Sequence, residues 1–212
     1  MMGCDPERNG DCNDDELPLH EVKLSGFYIN KYEVTQREWE VIMEDNPSRF
    51  SDCPDCPVEQ VRWEDAGKFI DKLNQLSGRR YRLPTEAEWE FAARGGNRSK
   101  GYRYAGSNDL SQVGWYDENS GDHTHPVGGK DPNELGIYDM SGNVWEFCQD
   151  RYAEDYYAES PRVNPKGPSS GDFRVLRGGS WNYFDRYCRV SNRNYSLTVI
   201  RYYFNGFRLS RD

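Results

Sequence analysis

Past Gly96 this sequence contains no helix-length pattern of apolar residues. Gly, Pro, Asn, Asp and Ser recur every few positions, separated by short aromatic runs such as those at 113–116 and 144–147. A backbone punctuated in this way goes into structured loops and short strands, held by particular side chains more than by long ladders. Before Gly96 the signals are different. Thr35-Gln36-Arg37-Glu38 is a capping box, in which the Thr hydroxyl takes an orphan helix N–H and Glu38 reaches back. It predicts a short helix ending near Glu44, because Asn46-Pro47 stops it. Ala66, Phe69, Ile70 and Leu73 stand at helical spacing within Trp63–Ser77, and Gly78 follows as a stop. Thr85 to Glu88 repeats the capping box and predicts a third helix through Ala93, ended by Gly95-Gly96. Residues 1–20 are acidic and turn-rich, so a loop is expected there. Val22, Leu24, Phe27 and Ile29 alternate around Ser25-Gly26 and predict strand, turn, strand. The expected class is α+β, with helices in the first half, irregular β in the second, and no internal repeat.

With 212 residues the chain suits a single domain, 1–212. Its mean hydropathy of −1.01 leaves few aliphatic residues for a core, so the six Trp and fifteen Tyr must fill much of it. The net charge of −9 excludes a nucleic-acid partner that binds through the phosphate backbone, a role that needs a clustered basic face. No apolar run approaches the ~20 residues of a membrane span. No leader is visible ahead of Met1-Met2-Gly3-Cys4, which leaves an upstream segment open. The six Cys do not settle the compartment.

Four blocks stand in a fixed order: Arg82 to Glu90, Gly142-Asn143-Val144-Trp145-Glu146, Arg177-Gly178-Gly179-Ser180-Trp181 and Gly206-Phe207-Arg208. They resemble the signature blocks of the formylglycine-generating enzyme (sulfatase-modifying factor) family, and the resemblance runs from Met2-Gly3-Cys4 nearly to the last residue. It implies the C-type lectin-like fold of that family, with a small twisted antiparallel sheet and little regular secondary structure. Oxidase members use a Cu(I)-binding pair of Cys after the Gly-Gly-Ser block, since two soft thiolates make a linear site. Here Tyr183 stands where the first Cys belongs and Cys188 where the second does. A branch with iron-dependent sulfur chemistry relies on a separate His-rich helical domain, for which this chain has no room.

A third branch, the variable proteins of diversity-generating retroelements, has a C-terminal frame resembling Arg177 to Trp181, Cys188-Arg189, Arg193 and Gly206 to Leu209. Between such fixed points, positions are rewritten at template adenines. An AAC codon changed at both adenines reaches fifteen amino acids, but never Lys, Glu, Gln, Met or Trp. None of those five occurs in 182–205, although Lys and Glu are common elsewhere. The candidate variable segment is 182–204. Its candidate ligand-binding residues are Asn182, Tyr183, Phe184, Asp185, Tyr187, Tyr195, Ser196, Leu197, Val199, Ile200, Tyr202, Tyr203 and Phe204. Tyr gives large, rigid contact area at low entropic cost, which suits a paratope. The alternative is that Leu197, Val199 and Ile200 form a buried strand with tyrosines packed beside it.

The expectation is therefore a non-catalytic receptor or adhesin that binds a protein or other macromolecular ligand and is exported or surface-displayed. The competing expectation is a peptide-cysteine oxidase using Cys188. Asp139, Gly142, Val144 and Glu146 resemble a family Ca²⁺ site, and oxygen ligands from a tight loop suit a hard cation; the other reading is a capping Asp139 and a Glu146 paired with a framework Arg. No organic cofactor is expected. Cys53-Pro54-Asp55-Cys56 has zinc-ligand spacing but no second matching pair, so a disulfide or free thiols compete there. His123 and His125 offer two metal ligands or polar surface. Arg177, Arg189, Arg193 and Arg208 are expected to tie loops to carboxylates and carbonyls.

Overall fold

Both capping boxes form. Thr85 accepts the Glu88 N–H while Glu88 accepts the Thr85 N–H, and Thr35 and Glu38 do the same. The structure is a computed structural model; it describes residues 1–212, apart from the side chains of Arg8 and Asn9. Its helices are α1 (Pro6–Asn9), α2 (Gln36–Met43), α3 (Trp63–Ser77), α4 (Glu86–Ala93), α5 (Leu110–Val113) and α6 (Tyr156–Glu159). Helices α2, α3 and α4 lie where the caps, the spacing and the stops predict them. Gly78 ends α3 in the left-handed region, at φ 66°.

The strands are β1 (Tyr28–Ile29), β2 (Tyr81–Arg82), β3 (Trp145–Arg151), β4 (Phe173–Arg177), β5 (Asn194–Leu197), β6 (Asn205–Gly206) and β7 (Ser210–Arg211). They form two sheets, ordered β1-β7-β2 and β5-β4-β3-β6. The class is thus mixed α+β with short strands joined by long loops. Two expectations change. Val22 and Leu24 do not pair with Phe27 and Ile29; β1 pairs with the C-terminal β7, and Lys23 instead exchanges backbone hydrogen bonds with Arg162 and Asn164. Residues 1–20 hold α1 and a 3₁₀ turn at Asp14–Glu16, whose Glu16 is buried.

The larger core cluster lies between α2–α3 and the four-stranded sheet. Trp39 stacks on Phe69 at 5.4 Å, and Phe207 meets both edge-on at 6.2 and 5.6 Å. Gly206 must be a glycine there, since a Cβ would lie 2.7 Å from the Val58 carbonyl oxygen. The arginines do what their forks suggest. Arg189 pairs with buried Glu16, Arg193 with Glu86, Arg177 with Glu90 and Arg208 with Glu146, while Arg177 also donates to the Ser191 and Asn192 carbonyls. Long, poorly laddered loops are thereby fixed by charge-assisted bonds whose partners are already desolvated.

Candidate ligand-binding face

Two loops carry the candidate segment to one surface. The 180–187 loop leaves β4 through the Gly-Gly-Ser block, and the 202–204 loop precedes β6. Trp181 joins them: its indole N–H donates to the Tyr203 carbonyl at 3.2 Å, and its backbone N–H donates to Asn143. The backbone below is anchored on framework residues, with the Tyr183 carbonyl accepting from Asp117, that of Tyr202 from Gln60, and that of Phe204 from Trp145. Main chain is held while side chains are left to project.

Those side chains form a ridge of rings. Phe50 meets Trp181 at 5.5 Å, Trp181 meets Tyr203 at 5.8 Å, and Tyr203 meets Phe204 at 5.4 Å. Phe204 meets Tyr183 at 5.6 Å, and Tyr183 meets Tyr187 at 5.3 Å. Tyr202 stacks on Phe204 at 4.8 Å. The ridge stands on Trp145, which is fully buried and edge-on to Tyr183 at 5.4 Å. Phe184 is 56% exposed and Tyr202 37%, while Tyr183, Tyr187, Tyr203 and Phe204 are half-buried against one another. Burial first, then the neighbouring tyrosines, raises the Tyr183 pKa, so it presents a neutral phenol.

The candidate positions divide. Asn182 accepts from the Ser180 hydroxyl at the root of the ridge, and Asp185 lies exposed beside it. Tyr195 sits elsewhere, in edge strand β5, against Tyr152 at 4.4 Å and Phe173 at 4.8 Å. Leu197 opposes Phe173 in the same ladder. Ser196 is only 5% exposed, so a ligand cannot reach it; alternation in β5 turns it inward. Val199 is 61% exposed and Ile200 half-buried in the loop after β5, so the aliphatics form no buried strand. Phe50, Arg49 and the framework residue Trp181 complete the face, none of them among the ligand-binding residues expected from the sequence. Trp181 adjoins the Gly-Gly-Ser block, but nothing near Asn46-Pro47 marks Arg49 or Phe50 as part of a surface built by residues far along the chain.

No thiolate pair exists at the oxidase position. Cys188 is fully buried beneath the 3₁₀ turn at Asp185–Cys188, packed with Tyr104, Leu110, Val113 and Tyr116, and burial pushes its thiol well up. Cys148 lies in a different cluster, with Trp89, Met140 and Val175. Cys53 and Cys56 are joined in a disulfide, as are Cys4 and Cys12, which removes zinc from the CxxC. His123 and His125 lie with tilted rings 4.4 Å apart, and His125 stacks on Trp115 at 3.7 Å.

The expected calcium ligands are arranged as follows. Both Glu146 oxygens are taken, by Arg208 and by the Trp89 indole N–H at 2.7 Å. Asp139 accepts from Gly128 through Oδ2 at 2.7 Å and keeps a buried Oδ1 without a partner. Neighbouring Glu33 is engaged by Asn143 and the Val144 N–H. Among the described residues, three metal-ligating groups converge only at Cys4, Cys12 and Glu16, where both sulfurs are in the disulfide. Of the expected carboxylate oxygens Asp139 Oδ1 alone has no donor, because both Glu146 oxygens are committed to the framework.

Comparison with known proteins accords with this geometry. The family described as sulfatase-modifying factor enzyme 1-like domain matches residues 2–212. A chaperone protein LppX from Paenibacillus barcinonensis is 36% identical over 76% of this chain and 71% of its own length. A formylglycine-generating enzyme from Streptomyces coelicolor is 40% identical over 75% of this chain, but the match spans only 54% of that protein. Among solved structures, Treponema denticola variable protein 1 superposes with a TM-score of 0.85 at 34% identity, covering 90% of this chain and 86% of its own.

Proposed function

This chain belongs to the sulfatase-modifying factor enzyme 1-like family, and within it we propose that it is a non-catalytic binding protein whose C-terminal segment displays changeable side chains on a fixed frame. The observation that carries the reading is the aromatic ridge. Tyr183, Tyr187, Tyr202, Tyr203 and Phe204 are all reachable from an AAC codon, and they share one surface while the backbone beneath them is tied to framework residues. Rigid, amphipathic rings, partly exposed over a buried Trp145, have the composition of a paratope. The ligand is a protein or another macromolecule, and the domain is the whole of 1–212 with its changeable segment at 182–204. Likeness to a variable protein supports this reading. So does the lack of a second thiol beside Cys188, which takes away the pair an oxidase of this family would need. An exported or surface-displayed location belongs to the same reading and is supported by two disulfides, which persist in oxidising compartments. Among the described residues no helix is long and apolar enough to cross a membrane.

The test is genetic. The expected finding is a reverse transcriptase gene near this one, together with a template repeat carrying AAC at the ridge positions. Unrelated codons at Tyr183, Tyr187, Tyr202, Tyr203 and Phe204, with no repeat, would remove the reading.

A further inference from the structure

The ridge of rings connects two clefts. At one end Phe50 lines a cleft of about 430 Å³ with Arg49, Asp52, His123, Thr124 and the Cys53–Cys56 disulfide. At the other end Tyr187 lines a cleft of about 390 Å³ with Arg186, Arg189, Asp11 and Asn192. Each cleft holds one exposed arginine lying on rings near that end of the ridge. The Arg49 guanidinium sits 4.6 Å over Tyr203 and 5.8 Å from Phe50. Arg186 sits 4.9 Å over Tyr187, and donates to its hydroxyl at 3.2 Å.

These two differ from the buried arginines of the frame, which are spent on carboxylates and carbonyls. Among the described residues neither Arg49 nor Arg186 forms an ion pair. The acidic groups nearby are otherwise engaged or stand apart. Asp11 is paired with Arg103 and Arg189, Asp185 accepts from Tyr104 and from the Arg186 backbone N–H, Asp52 forms no ion pair with Arg49, and buried Glu59, the carboxyl whose charge Arg49 favours, accepts the Phe50 N–H. A guanidinium laid on an aromatic face is weakly hydrated and orientationally restricted, with its planar fork of donors free at the edge, which suits a carboxylate. Arg49 lies outside the changeable segment 182–204, whereas Arg186 lies within it without being one of its candidate ligand-binding positions.

We propose that this face recognises an acidic, extended segment of a protein partner, with carboxylates seated at Arg49 and Arg186 and apolar or aromatic side chains lying on the ridge between them. The inference rests on the binding-face reading above. It adds an electrostatic requirement, constant at Arg49 and joined in this chain by Arg186, to an aromatic surface whose details change.

A displayed random-peptide library panned on the full chain tests it. Retained peptides are expected to be enriched in Asp and Glu on both sides of an apolar or aromatic residue. Their affinity falls roughly tenfold or more in Arg49→Gln or Arg186→Gln, and further in the double variant. Arg→Lys at either place restores binding only in part, because the fork is lost. Both side chains are exposed, so the variants keep the wild-type melting curve. Peptides that depend on Tyr183 and Tyr202 (tested as Tyr183→Ser with Tyr202→Ser) but lack acidic enrichment and ignore Arg→Gln overturn this inference and leave the binding face standing. Peptides indifferent to the tyrosines, or none retained, overturn the binding face and this inference with it.

Discussion

Arg208 clasps Glu146 with two charge-assisted hydrogen bonds of 2.6 Å, Nε to Oε2 and Nη2 to Oε1, and both side chains are fully buried. Arg208 also donates to the Tyr138 and Asn30 carbonyls, so one guanidinium joins β3, the C-terminal strand region and two loops. Removing either partner leaves a desolvated charge without compensation. Glu146→Ala or Arg208→Ala should each destabilise the fold by about 3–5 kcal/mol, read from urea denaturation, whereas replacing both with well-packed apolar residues should cost far less than the two single changes together.

Display positions should tolerate change where core positions do not. Phe184→Ser, Val199→Asp and Tyr202→Ser alter side chains that are 56%, 61% and 37% exposed, and each should shift stability by at most about 1 kcal/mol. Phe207→Ala, in the core against Trp39 and Phe69, should cost about 3–5 kcal/mol. A cost at Val199 as large as that at Phe207 would contradict an exposed loop after β5.

The two free thiols should be silent in the folded protein. Cys148 and Cys188 are fully buried, and burial raises both thiols well above their ordinary range, leaving no thiolate for attack. A chromogenic disulfide reagent should label neither under native conditions and both after denaturation. Fast native labelling lost in Cys188→Ala would reopen the oxidase reading.

Stability should fall as pH rises through neutrality. Burial lifts Glu59 to about 7; its Oε1 accepts the Phe50 N–H at 2.9 Å, while its Oε2 has no donor. Burial, and then the charge of Glu86, lifts Asp150 to about 8. In the unfolded chain both carboxyls titrate near pH 4, so between about 4 and 8 the native state binds more protons and loses stability with each step upward. Asp65 acts in the opposite sense: burial raises it, but the Arg62 hydrogen bonds and the Arg201 charge outweigh that and bring it to about 2. Its contribution is present above its unfolded pKa and is lost as pH falls toward 2. Melting temperature should therefore peak on the acidic side of neutral, and Glu59→Gln should recover about 2–3 kcal/mol at pH 8. A profile rising steadily from pH 5 to 8 would refute this.

Calcium should do little. With Glu146 committed to Arg208 and Trp89, millimolar Ca²⁺ against a chelator should leave the melting temperature unchanged to within about a degree. A shift of several degrees, abolished by Asp139→Asn, would mean that Asp139 Oδ1 has found a metal.

Local chemistry determined a good deal here without any structure. Capping boxes at Thr35 and Thr85, the Gly78 stop and the four framework blocks are short-range signals, each satisfied by a few neighbouring residues, and α2, α3, α4 and the family could be read from them. The absence of five residue types from 182–205 likewise marked which side chains to examine. Tertiary structure alone decided how those side chains are divided. Tyr183 and Tyr203 belong to one ridge, Tyr195 packs on Tyr152 away from it, and Ser196 turns inward, because strand pairing and loop anchoring set the direction of each side chain. It also brought Arg49 and Phe50 beside Trp181 and Tyr203, a meeting across more than half the chain that no local pattern encodes. The same holds for β1, where alternation favoured a hairpin with its neighbour and the partner proved to be Ser210–Arg211 at the far terminus.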